Sequence, residues 1–211
     1  MVDQGDLGSC TANAIANAHR FDQMKEASKA NFLPSRLFIY YNERSMEGTV
    51  NSDAGAQIRD GVKSIAQLGV CPETEWPYDI TKFAKKPLAK AYKDALKNQA
   101  LTYQRVVQDL TQLKGCLASG YPFVFGFTVY ESFESAQVAK DGLMPLPQAK
   151  EKCLGGHAVL AVGYDDATQR VTVMNSWNTT WGDKGFFYMP YAYITSAKLA
   201  SDFWTIRTVE V

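Results

Sequence analysis

Cys10, His157 and Asn175 are residues of the types that carry nucleophilic chemistry. Each stands in a suitable local pattern: Cys10 in DQGDLGSCTANAIA, His157 in GGHAVLAVGYDD, and Asn175 at the head of NSWNTTWGDKGFFY. A thiol attacks only as its thiolate, and an unperturbed cysteine at neutral pH is mostly protonated. From Thr11 onward, TANAIANAHRFDQMKEAS repeats Ala12, Ile15, Ala16 and Ala18 in a helical rhythm, while Gly5 and Gly8 break the chain before it. Cys10 is therefore expected at or just before a helix N-terminus. Unpaired N–H groups and the positive end of the helix dipole favour an anion there and lower the thiol pKa without a metal. The plain alternative is a small core residue, the common fate of a free cysteine.

A thiolate needs a base, and the chain has two histidines. His19 lies on the same predicted helix as Cys10, roughly 13 Å further along the axis and on about the opposite face. It cannot serve the thiol and reads as a helix-surface or interdomain residue. His157 opens HAVLAVGY, an apolar and β-branched run that reads as a buried strand, with Gly155 and Gly156 permitting close backbone approach before it. A histidine held at a strand start can take the thiol proton and later return it to a leaving amine.

Together these segments resemble the papain and cathepsin family of cysteine peptidases, in a divergent, bacterial-type form. The matching stretches are QGDLGSC, GGHAV and NSWNTTWGDKGFFY, and His157 and Asn175 follow Cys10 by 147 and 165 residues. DAGAQIRDGVKSIAQLG and DFWTI extend the likeness over almost the whole chain. The resemblance implies an α+β, papain-like two-lobed fold: a mainly helical left lobe over 10–105, an antiparallel β-barrel-like right lobe over 106–211, and residues 1–9 packing across the cleft between them, all as one catalytic domain. It also implies that Cys10 is the nucleophile, His157 the base and acid, and Asn175 the side chain that orients the imidazole. Gln4 and the Cys10 amide would form the oxyanion hole. Trp177 would cover the Asn–His hydrogen bond, and Trp181 would wall the leaving-group side; blandly, both are core aromatics.

The chain also departs from the family pattern. Leu7 stands where the family has the first cysteine of Cys-Gly-Ser-Cys, and Asp53 stands at the position of its disulfide partner, so that bridge is absent. Thr11 replaces a tryptophan and Asn178 a glycine. None of these changes removes a reacting atom. Gly55 and Ala56 align with a Gly-Gly pair that hydrogen-bonds substrate backbone, and Gly156 lies on the opposite bank. Asp202 aligns with the floor of the pocket for the second residue before the scissile bond, where a buried acid would favour a basic side chain; an exposed strand-end aspartate is the alternative.

The elements that must position these residues divide near residue 105. In the first half Ser35 is placed to cap LFIYYNERSM, Ile58, Val62, Ile65 and Ala66 recur at helical spacing before Gly69, and KFAKKPLAKAYKDALK reads as a solvated surface helix with its entry loop. In the second, Asp109 is placed to cap DLTQLKGCLASG, and PFVFGFTV, HAVLAVGY, RVTVMN, GFFYM and WTIRTVEV read as strands. Two facing cores would make a cleft, the usual place for a ligand site.

With 22 basic and 22 acidic residues the chain is neutral, so it carries no electrostatic footprint for nucleic acid or an anionic membrane. No apolar run approaches the roughly 20 residues that span a bilayer. A catalytic Cys10 stays free, leaving Cys71, Cys116 and Cys153; Cys116 reads as a core thiol, and Cys71 and Cys153 could be paired or free. Cys153 with His157 is a poor zinc signature, and neither metal nor cofactor is expected. The expected activity is peptide-bond hydrolysis through a thioester acyl-enzyme, of endopeptidase type. A catalytically silent peptide-binding homologue and an acyl transferase or deamidase using the same triad are the alternatives. A polypeptide substrate, an inhibitory pro-segment not present in this chain, export from the cell and a monomeric state complete the expectation.

Overall fold

The computed structural model describes residues 2–26 and 31–209. Four helices come first: α1 (Cys10–Lys25), α2 (Arg36–Glu47), α3 (Ile58–Leu68) and the short α4 (Ala89–Ala95). Then come β1 (Ala100–Arg105), α5 (Leu110–Ala118), β2 (Phe123–Tyr130), α6 (Ala136–Asp141), β3 (Cys153–Asp165), β4 (Arg170–Met174), β5 (Phe186–Pro190), α7 (Tyr191–Ile194) and β6 (Ala200–Val209). The six strands form one sheet in the order β1-β6-β2-β3-β4-β5, with every neighbouring pair antiparallel. The sheet thus begins with β1, ahead of the boundary expected at 105–106, because β1 pairs with β6. The helical rhythm at Ala27 and Ser28, and the last two residues of WTIRTVEV, lie outside the described residues.

The capping chemistry explains where helices begin and end. Ser35 accepts the Phe38 amide at the start of α2, and Asp109 accepts those of Thr111 and Gln112 at the start of α5. Gly69 ends α3 at φ 70°, and a Cβ there would come within 1.8 Å of the Ala95 carbonyl oxygen, so only glycine fits.

The sheet separates two apolar cores, and the period-2 alternation of β2 shows how. Phe123, Phe125 and Phe127 join Phe133, Val159, Val173 and Phe187 on one side; Val124 joins Ile15, Phe38, Ile58, Val62 and Ile65 on the helical side. α1 is buried almost all round because alanines at 12, 14, 16 and 18 let it approach its neighbours closely. His19 belongs to this buried stretch, which corrects the helix-surface alternative read from the sequence. It is fully buried with Nε2 3.2 Å from the Asn98 carbonyl, and burial pushes its pKa down to about 4.

Candidate active site

Ser9 is the N-cap of α1 and Cys10 its first residue. The first intrahelical bond runs from the Asn13 amide to the Ser9 carbonyl at 3.0 Å, so the amides of Cys10, Thr11 and Ala12 have no intrahelical acceptor. Geometry at the helix start is as expected from sequence; its electrostatic result is not. Burial pushes the Cys10 thiol up, and the nearby Asp53 carboxylate adds to this. Hydrogen bonding from the backbone of Ala158, Thr11 and Cys10 pulls the other way without prevailing. The helix terminus alone does not make a thiolate.

His157 lies near the middle of β3, opposite Phe127 of β2, and is buried. Burial lowers its pKa to about 4, against the hydrogen bond it donates to Asn175 and the Glu134 charge, which raise it. Its Nε2 lies 2.7 Å from Asn175 Oδ1. That oxygen also accepts the Ser176 backbone N–H at 2.8 Å. A backbone N–H can only donate, so the Asn175 carbonyl faces the ring and Nε2 must carry the proton. Nδ1 is then the basic nitrogen. The Trp177 indole stacks on the imidazole, with centroids 4.9 Å apart at 23°, and Asn175 is left 1% exposed. Phe133 packs on both Trp177 and Trp181, which meet each other edge to face.

Cys10 and His157 line the same cleft, where burial disfavours the charged form of each.

Gln4 is pinned on both ends of its amide: Ser176 Oγ donates to Oε1 at 2.6 Å, and Nε2 donates to the Leu7 carbonyl at 3.0 Å. One Nε2 hydrogen remains for the cleft. The Gln4 amide also donates to the Ser176 carbonyl at 2.9 Å, which ties the N-terminal segment to the strand-rich half.

The departures from the family pattern have structural counterparts. All four cysteines are free. Leu7 is buried in the helical core, and Asp53 accepts the Gly8 amide and the Tyr40 hydroxyl. Thr11 donates at 2.6 Å to Glu43, a fully buried carboxyl whose pKa burial raises well above its usual range. Asn178 adopts φ 59°, a left-handed conformation that glycine takes freely and asparagine tolerates.

Gln4, Cys10, Gly55, Gly156, His157 and Trp177 line one cleft of about 400 Å³, with Glu134 and Asp53 also on its walls. A contiguous space of about 390 Å³ shares Cys10, Gly55, Gly156 and His157 and adds Ala56 and Asp202. Asp202 is held by the Trp204 indole N–H at 2.6 Å. Trp181 backs Trp177 rather than lining either space. Sequence reading missed Ser176, Tyr78 and Glu134 as parts of this site. Ser176 sits inside a recognised motif, but a lone tyrosine and a lone turn glutamate leave no signal before the chain is folded. No group of three metal-ligating side chains forms among the described residues.

A cysteine at a helix start and a histidine from an antiparallel sheet on one cleft, with an asparagine hydrogen-bonded to the ring, suit a thiol hydrolase of α+β build. The chain belongs to the papain family of cysteine proteases: the family model described as "Papain family cysteine protease" matches residues 1–205. It is 49% identical to xylellain, a cysteine protease from Xylella fastidiosa, with a TM-score of 0.93 over 98% of this chain and 82% of that one. An uncharacterized peptidase C1-like protein of Acanthamoeba polyphaga mimivirus is 48% identical over 99% of this chain and 70% of its own length. A cathepsin L-like peptidase of Aedes aegypti is 28% identical over 89% of this chain, which spans 54% of that protein. The papain-like fold, cysteine peptidase class and hydrolase activity read from the sequence are thus those of the family.

Proposed function

We propose that Cys10 attacks a peptide carbonyl, that His157 Nδ1 takes the thiol proton and returns it to the departing amine, and that water then hydrolyses the thioester with His157 as base. Asn175 holds the ring and its tautomer. The free hydrogen of Gln4 Nε2 and the Cys10 amide stabilise the oxyanion; losing one such donor costs on the order of 10²–10³-fold in kcat. The observation that carries this reading is the placement of Gln4, Cys10 and His157 on one cleft with His157 Nε2 2.7 Å from Asn175 Oδ1.

Gly55 and Ala56 on one bank and Gly156 on the other are suited to pair with an extended polypeptide. Trp177 and Trp181 would flank the leaving group. Asp202 favours a basic residue at the second position before the scissile bond. Endopeptidase action is part of this reading. A division into a mainly helical and a mainly β lobe, with β1 in the sheet of the second, a monomeric state, export and control by a pro-segment are parts of the same proposal. For the last, the support is that relatives carry more chain than this one covers.

Alkylation and peptide cleavage test the assignment. Cys10 should react with iodoacetamide much faster than Cys71, Cys116 or Cys153, and the wild-type chain should cleave a peptide library while Cys10→Ala does not. Uniform thiol reactivity, or cleavage that survives Cys10→Ala, would overturn it.

A further inference from the structure

The two donors assigned to the oxyanion come from separate stretches of chain, and something must fix their separation. Gln4 lies in an extended N-terminal segment, whereas the Cys10 amide belongs to α1. Tyr78, in the loop after α3, reaches both. Its hydroxyl donates to the Gln4 carbonyl at 2.9 Å and lies 2.5 Å from Ser9 Oγ. A phenol has one proton, and the Gln4 carbonyl can only accept it, so Ser9 must donate to Tyr78. Ser9 Oγ in turn accepts from Asn13 Nδ2 at 3.0 Å, and Asn13 Oδ1 accepts from Arg36 Nη1 at 3.1 Å. The donors therefore run in one direction, from Arg36 through Asn13, Ser9 and Tyr78 to Gln4, an arrangement in which each bond polarises the next.

The start of this relay is rigid. Arg36 is 7% exposed, forks onto Glu73 at 2.7 and 2.8 Å, donates to the Asp3 carbonyl at 2.7 Å, and lies over the Tyr78 ring at 3.8 Å. Arg36 thus fixes the Tyr78 ring and, through Asp3 and Asn13, the two segments that the hydroxyl joins.

Resting on the peptidase reading above, we propose that Tyr78 is a positioning residue for the oxyanion site, its single hydroxyl fixing the Gln4 backbone against the cap of the helix that carries Cys10. Tyr78 touches no substrate. It sets the distance between two groups that do.

The test uses the whole chain with Tyr78→Phe, which keeps the ring on Arg36, and Ser9→Ala, which breaks the relay at its other end. Three readouts are compared: peptide hydrolysis, inhibition by a peptide aldehyde, and alkylation by iodoacetamide. The first two develop a tetrahedral oxyanion; alkylation displaces iodide and develops none. Both variants should lose on the order of tenfold in kcat with KM within about twofold, and the aldehyde inhibition constant should rise in step. Alkylation of Cys10 and its pH profile should stay within about twofold, and the double variant should lose little more than either alone. Loss of alkylation in proportion to hydrolysis would make Tyr78 a general structural support and overturn the proposal. So would kcat within twofold of wild type in both variants. If wild type itself cleaves no peptide, the peptidase reading fails instead. Should Tyr78→Phe not fold, Ser9→Ala decides the matter by the same three measurements.

Discussion

The Gly8 amide reaches both carboxylate oxygens of Asp53, at 3.0 and 3.1 Å, two residues before Cys10. Positions 7 and 53 are those at which the wider papain and cathepsin family carries a disulfide, by the resemblance of their motifs. Here Leu7 turns into the helical core, and a charge-assisted clamp on the next residue takes the place of the covalent link. Gly8 is also tightly fitted, since a Cβ there would meet Asp53 Oδ1 at 3.0 Å.

Asp53→Ala should therefore lower stability by about 0.5–1.5 kcal/mol, the net worth of a hydrogen bond whose acceptor water can replace at this exposed position, and should reduce kcat by loosening the loop ahead of Cys10. Because all four cysteines are free, adding a reductant should leave the wild-type unfolding temperature unchanged. Thermal unfolding with and without dithiothreitol measures both. A reductant-sensitive transition would show that two of the four cysteines pair in solution.

Asn175→Ala removes the acceptor that fixes the Nε2 proton on His157. The ring can then present the wrong nitrogen to the thiol, so kcat should fall by about tenfold or more while KM stays within a few-fold. Steady-state kinetics on one peptide decides it. A KM effect with kcat preserved would place Asn175 in substrate binding instead.

Much of this site is legible in the sequence because its residues lie in local motifs. Ser35 and Asp109 announce their helices, and the apolar run PFVFGFTV announces a buried strand. What escapes is set by tertiary contacts. β1 is five-sixths exposed and polar in pattern, so its identity as a strand depends on pairing with β6. His19 looks like a helix-surface residue until α1 is seen to be enclosed. The thiol pKa follows burial, a property of the assembled fold, more than the helix start that the sequence reveals.

Glu43 offers a third test. Its carboxyl is fully buried, which raises its pKa well above the usual range, with Oε1 accepting from Thr11 and Oε2 beside Gly61. Glu43→Gln is isosteric and neutral and should cost less than about 1.5 kcal/mol. Gly61→Ala is different: its Cβ would come within 2.4 Å of both Glu43 Oε2 and Ile15 Cδ1. It should cost about 1–3 kcal/mol through overpacking. Denaturant titration of both variants checks the ordering, which reverses if the carboxylate is charged.

Asp22 gives the stability a pH dependence of unusual sign. It is fully buried, and neither carboxylate oxygen has a hydrogen-bond partner among the described residues. Burial raises its pKa from 3.8 to about 7; Glu26 adds to the shift, and Lys25 and Arg207 oppose it. Between those values the folded chain keeps a proton that the unfolded chain releases, so this group's contribution is full below pH 3.8 and lost as pH rises through 7. His19 and His157 run the other way. Their pKa values fall from 6.5 to about 4, so their contribution is present above pH 6.5 and lost as pH drops towards 4. In wild type the two trends offset each other. Asp22→Asn removes the first and leaves the second, so its stability relative to wild type should climb between pH 4 and pH 7.5, by about 2–4 kcal/mol. Urea unfolding at pH 4, 5.5 and 7.5 measures that slope, and a difference that stays flat with pH would mean that Asp22 is ionised in the folded chain throughout.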